Sequence, residues 1–189
     1  LYNRYTIPQY RTEATMIIVD DEKQNAMNAT PSGGGAIFSL EDDGIQNHIE
    51  KLKSKKLVES VVDELNLNIS YFIEGNVITV EAYQSSPVLI EFITNDSIVN
   101  TNSRDFVVTP TSETSFRLED ESLEYNADHK IGEVIELEGL KFVILPKSGK
   151  EQGSFGKTSS VNIVLEPVRD VAAEYISRLQ ITQKGQAKD

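Results

Sequence analysis

Between Ile49 and Leu67 the chain reads as one helix ending and a second beginning afresh. Leu57, Val58, Val61, Val62 and Leu65 recur at helical spacing and predict an amphipathic helix with one apolar face. Ser54 stands just ahead of that run, where a hydroxyl accepts from a backbone N–H that the first turn leaves unpaired. Asn66 and Asn68 favour leaving the helix, and Ile69-Ser-Tyr-Phe-Ile73 predicts a strand.

The same reading organises the rest of the chain. Leu1–Pro8 is a mixed lead-in, Tyr10–Val19 predicts a strand, and Asp20–Gly35 is a polar loop ending in Ser32-Gly-Gly-Gly35. Ile37–Leu40 is a short apolar anchor, after which Asp42 or Asp43 would cap the first helix of the pair. From Ile69 to Glu166 strands take over. Ile78, Val80 and Ala82 alternate with Thr79, Glu81 and Tyr83, and Val134–Leu145 reads as two strands hinged at Gly139. Asn100–Asp105 and Lys147–Ser160 are loops by composition. Val161–Glu166 is a last strand, and a final helix starts at or near Pro167 with Val168, Val171, Ala172, Tyr175, Ile176 and Leu179 as its stripe. The order strand, helices, many strands, helix predicts an α+β fold with a mainly antiparallel sheet. There is no internal repeat.

Composition narrows the function classes. The chain of 189 residues suits one domain, with an apolar share of 39%. A net charge of −12 leaves no basic stripe for nucleic acid and no cationic face for an anionic leaflet. The absence of cysteine removes disulfides, thiolate chemistry and Cys-ligated zinc. The longest apolar runs, such as Met16–Val19 and Phe142–Leu145, fall far short of the roughly 20 residues that span a bilayer.

Candidate chemistry is sparse. Gly153-Ser-Phe-Gly156-Lys157-Thr158 echoes a phosphate-binding loop, but Glu151 stands where the first glycine belongs and a strand follows in place of a helix. The acidic runs Asp20–Glu22, Glu41–Asp43 and Glu119–Glu121 lack the alternating ligands of a calcium loop and read as solvated turns and helix caps. His48 falls in a predicted helix and His129 in a polar turn, neither with a companion at ligand spacing. No base is identifiable to activate a serine. Asn28, Asn68 and Asn95 begin Asn-x-Ser/Thr triplets, a common chance pattern, and Tyr2, Tyr5 and Tyr10 cluster near the start.

The run Leu52-Lys-Ser-Lys-Lys-Leu-Val-Glu-Ser-Val-Val-Asp-Glu-Leu-Asn-Leu-Asn-Ile-Ser-Tyr71 resembles the periplasmic domain of Wzz-type chain-length determinants. These polysaccharide co-polymerases include the bacterial tyrosine autokinases of capsule and exopolysaccharide export. Tyr10–Val19, Ser86–Phe92, Lys130–Ile135, Leu140–Leu145 and Val161–Leu179 resemble further segments of that family in the same order. The resemblance implies a juxtamembrane lead-in at 1–9, a base domain at 10–166, and the truncated start of a long helical segment at 167–189. It implies a periplasmic domain of an inner-membrane protein in a Gram-negative bacterium, regulating the chain length or export of a capsule, exopolysaccharide or O-antigen. Such a fragment catalyses nothing and takes no cofactor or metal; a nucleotide-binding kinase domain would lie elsewhere in the parent. Its partners would be further copies of itself, with the membrane polymerase, an outer-membrane export channel or the growing glycan as others. Lys51, Lys53, Lys55 and Lys56, on an otherwise acidic chain, are the candidate subunit interface. Two other readings stay open: a generic periplasmic binding or adaptor module, and a glycan hydrolase, which needs a cleft holding two carboxylates.

Overall fold

The structure is a computed structural model that describes residues 11–16, 40–74, 79–82, 85–147 and 159–182. Contacts divide the chain into one unit over Leu1–His48 and another over Ile49–Asp189. In the first unit, residues 11–16 have no regular secondary structure and every side chain is exposed. The strand expected over Tyr10–Val19 is therefore not formed across its described part. A strand exists only with a partner ladder, and residues 11–16 pair with none of the described strands. Helix α1 (Leu40–Leu52) runs across the division between units. It already includes Asp42 and Asp43, so these sit in its first turn and are not its caps.

The second unit is α+β, and every strand pairing in it is antiparallel. Helix α2 (Lys55–Glu64) leads into β1 (Ile69–Glu74) and β2 (Thr79–Glu81). Then come β3 (Val88–Phe92), the short helix α3 (Asp96–Val99), β4 (Arg104–Pro110) and β5 (Ser115–Asp120). A 3-10 turn at Glu121–Leu123 precedes β6 (Tyr125–Lys130), β7 (Val134–Leu137) and β8 (Leu140–Pro146). The chain closes with β9 (Val161–Leu165) and α4 (Val168–Arg178). The strands form a six-stranded sheet in the order β2-β1-β9-β4-β5-β6 and a three-stranded sheet in the order β3-β8-β7.

The two sheets share one core. Strand β9 is central in the larger sheet, and its Val161, Ile163 and Leu165 are fully buried while Asn162 and Val164 turn the other way. Their partners across β1 are Ile73, Tyr71 and Ile69, and across β4 Val108 and Phe106 stand opposite Val161 and Ile163. The smaller sheet contributes Val88, Ile90, Phe142 and Ile144, and the rings of Phe106 and Phe142 lie with centroids 5.0 Å apart at 40°. Tyr71 links the sheets directly, its Oη accepting from the Ile90 N–H at 3.3 Å. Burial raises the Tyr71 pKa; the Ile90 bond pulls against that rise and the nearby Glu91 adds to it.

Local chemistry sets the corners. The β7–β8 hairpin turns through Glu138 and Gly139, both at positive φ (44° and 84°), as a two-residue turn between twisted strands requires. Arg104 reaches that turn and donates to Glu138 at 2.5 Å. The segment Lys130–Ile135, read as continuous strand, is broken by a turn in which Gly132 takes φ 77°. Asn95 caps α3 by accepting from the Ser97 N–H at 2.9 Å. Next to α3, Asn100 donates to Asp63 of α2 at 2.7 Å, and its carbonyl accepts from Val168 of α4 at 3.0 Å. Three helices are thus tied at one residue, and α2 and α4 close a second, smaller core through Val62, Val168, Val171 and Ala172.

Candidate functional site

Helix α2 begins as its sequence predicts, with Ser54 in extended backbone accepting from the Leu57 N–H at 3.4 Å. The predicted apolar face, however, divides in two. Val62 is buried and Val58 and Leu67 pack beside it against α4. Leu57, Val61 and Leu65 are 44%, 41% and 57% exposed. Spaced four apart, these three form a ridge about 12 Å long on the solvent side of the helix.

The four candidate interface lysines lie around the α1–α2 junction, ahead of this ridge in the chain. Lys51 is in the last turn of α1, Lys53 is at the junction, and Lys55 and Lys56 open α2; all four are exposed. Lys55 pairs with Glu59 at 3.8 Å. The first turn of α2 holds no acidic residue. Two lysines therefore meet the positive end of the helix dipole, an arrangement that favours a nearby carboxylate.

A groove of about 250 Å³ opens between α4 and the β1–β2 edge of the larger sheet. Phe72, Val171 and Tyr175 supply apolar lining, and Glu81, Glu166 and Glu174 supply carboxylates. Glu174 pairs with Arg178 one turn on. All three glutamates are exposed, so none is desolvated as a proton-donating acid of a glycosidase must be. Val80, expected to face inward, is 60% exposed because β2 is the sheet's edge and its three residues all meet solvent.

A polar chain that the sequence reading missed lies on β6. His129 belongs to this strand and not to a turn. Its Nε2 is 2.7 Å from Tyr125 Oη, its Nδ1 is 3.1 Å from Glu133 Oε1, and Glu133 Oε2 accepts from the Lys130 N–H at 2.9 Å. That backbone bond, then His129, hold the Glu133 carboxyl below its usual pKa. An ionised Glu133 can only accept, so the His129 Nδ1–H is the donor in that pair. Burial, with Glu133 adding, raises the Tyr125 pKa. The signal was present as Tyr125-x-x-x-His129-x-x-x-Glu133, but reading His129 as part of a polar turn hid the strand face that it shares with Tyr125. The trio's hydrogen bonds order the β6–β7 turn.

Of the acidic runs, Glu119–Glu121 contains a true cap. Asp120 is buried and accepts from Ser122 Oγ at 2.5 Å and from the Leu123 N–H at 3.2 Å. His48 lies in α1 as expected, half-buried. Asn68 is buried at the entry to β1 and Asn95 is a cap, so both have structural roles. The segment Gly153–Thr158, the run Asp20–Glu22, Asn28 and the tyrosines Tyr2, Tyr5 and Tyr10 lie outside the described residues. Among the described residues no three His, Asp or Glu side chains gather as a metal site, and no helix is long and apolar enough to cross a membrane.

No protein-family model and no curated protein matches the chain. Two crystal structures of FlgL from Xanthomonas campestris, in space groups C2 and H3, are similar over 61% of this chain. Identity is 14% and 17%, with TM-scores of 0.28 and 0.25. The chain spans 35% and 36% of the length of those structures, and a likeness this slight carries no argument about function.

Proposed function

We propose that the chain is the periplasmic base domain of an inner-membrane polysaccharide co-polymerase, acting by self-association to regulate the chain length or export of a surface polysaccharide. The observation that carries the reading is the α2 surface. An exposed ridge of Leu57, Val61 and Leu65 runs out from a cluster of four lysines on a chain of net charge −12. Supporting it are the helix pair with its capped second helix, the antiparallel strands that follow, and the last strand leading into a helix, in the order the resembled family has them. Apolar side chains exposed in a row on one helix face are a surface that a partner can cover.

The work done this way is geometric, not catalytic. Each copy contributes a small contact, and copies held together in one membrane raise one another's effective concentration. The test is replacement of Leu57, Val61 and Leu65 together by serine in the intact parent, followed by electrophoresis of the surface polysaccharide. A changed length distribution, or loss of the polymer, is expected. An unchanged distribution with normal protein levels would sink the reading.

A further inference from the structure

We infer that the α2 ridge of one copy docks on the α4–β2 groove of a second copy, with the lysine junction meeting the groove's glutamates. The inference rests on the self-association reading above and names the face that receives the ridge. Two copies of a chain carrying −12 repel one another, so association needs a place where opposite charges meet. The described residues offer one basic cluster, Lys51, Lys53, Lys55 and Lys56, next to exposed apolar side chains. They also offer a concave surface of the matching kind. Glu81, Glu166 and Glu174 line it together with Arg178, which pairs with Glu174 and leaves Glu81 and Glu166 to meet a partner's lysines, and α4 presents Tyr175 and Leu179, 44% and 41% exposed.

Ridge and groove complement each other in charge, with lysines at the start of α2 and glutamates in the groove. Lysines at the dipole-positive end of α2 gain carboxylate partners, and the leucine and valine ridge gains the aromatic and aliphatic side of α4. A ridge of three side chains buries little area, so the contact is weak in dilute solution and acts where copies are already confined. Donor and acceptor faces belong to the same unit. A two-fold arrangement therefore satisfies both faces in a dimer, whereas a head-to-tail arrangement propagates into a ring.

The cysteine-free sequence allows a direct test of who touches whom. Ser60→Cys on the solvent side of α2 and Ser177→Cys on α4 are both exposed, near-isosteric changes. The two variants, carrying tags of different size, are mixed at millimolar concentration under mild oxidant and the heterotypic disulfide dimer is quantified. A Ser112→Cys chain, marked at the distant β4–β5 turn, serves as the control partner. The expected result is a Ser60–Ser177 position cross-link well above control. It should fall roughly tenfold when Lys53, Lys55 and Lys56 are changed to Glu, and recover when the partner chain carries Glu81→Lys and Glu166→Lys. Cross-linking no better than control, or indifferent to charge reversal, overturns the inference. If the intact parent nevertheless assembles, the self-association reading stands and only this docking geometry fails. If the parent is monomeric, the reading beneath it fails as well.

Discussion

At the residue scale, single positions hold the turns and the polar chain on β6. Gly139 sits at φ 84° with open space where a Cβ would stand. Gly139→Ala should therefore cost about 1 kcal/mol of conformational strain and nothing from collision, read as a lower urea midpoint at unchanged slope. Glu133 gives a pH signature. Its folded pKa lies below the usual 4.5, so its contribution is present above that value and is lost as pH falls through the folded pKa. Unfolding midpoints on either side of pH 4.5 should show a smaller acid loss for Glu133→Gln than for the unchanged chain; equal losses would show that the His129–Glu133 pairing adds no acid sensitivity. Residues whose role is backbone conformation were readable one at a time, as Gly139 and Ser54 were. Tyr125, His129 and Glu133 were not, because their partnership depends on knowing that the first two share one face of a strand.

At the element scale, the apolar periodicity located α2 and α4 but could not say what covers each side. Val62 and Leu57 look equivalent in sequence, yet α4 lies over Val62 alone, and Leu57 is left in solvent. The same gap explains Val80, whose alternation is sound while the sheet simply ends at β2. Strands β5 and β6 escaped individual prediction because Arg117, Glu119, Asn126, Asp128 and Lys130 occupy their outer face and dilute the apolar signal. Their register is nevertheless well defined, with Arg117 opposite Asp128 and paired to it at 3.0 Å. The Ser54 cap is a weak one by distance, so Ser54→Ala should cost about 0.5–1 kcal/mol of stability, observed by urea titration followed through helical circular dichroism. A loss several times larger would mean that Ser54 also fixes the junction with α1.

At the scale of the whole molecule, the α+β fold and its antiparallel pairing were legible because, among the described residues, most strands and the helices α1, α2 and α4 announce themselves by period and by Gly, Pro and Asn punctuation, whereas β4, β5, β6 and α3 do not. The packing of a three-stranded sheet against a six-stranded one was not, since it depends on long-range pairings such as β1 with β9 that no local pattern encodes. The candidate surface was half legible. Its lysines stood out against the acidic chain, whereas the exposed ridge and the glutamate-lined groove emerged only once helices and strands were packed. In the proposed function, this domain works by self-association in a membrane-anchored parent. The most direct measurement is the mass of that parent, expressed from its own gene with its flanking segments, purified in detergent and sized by light scattering. Flanking membrane helices and a large homo-oligomer are the expected result; a soluble monomer without membrane segments would overturn the proposal.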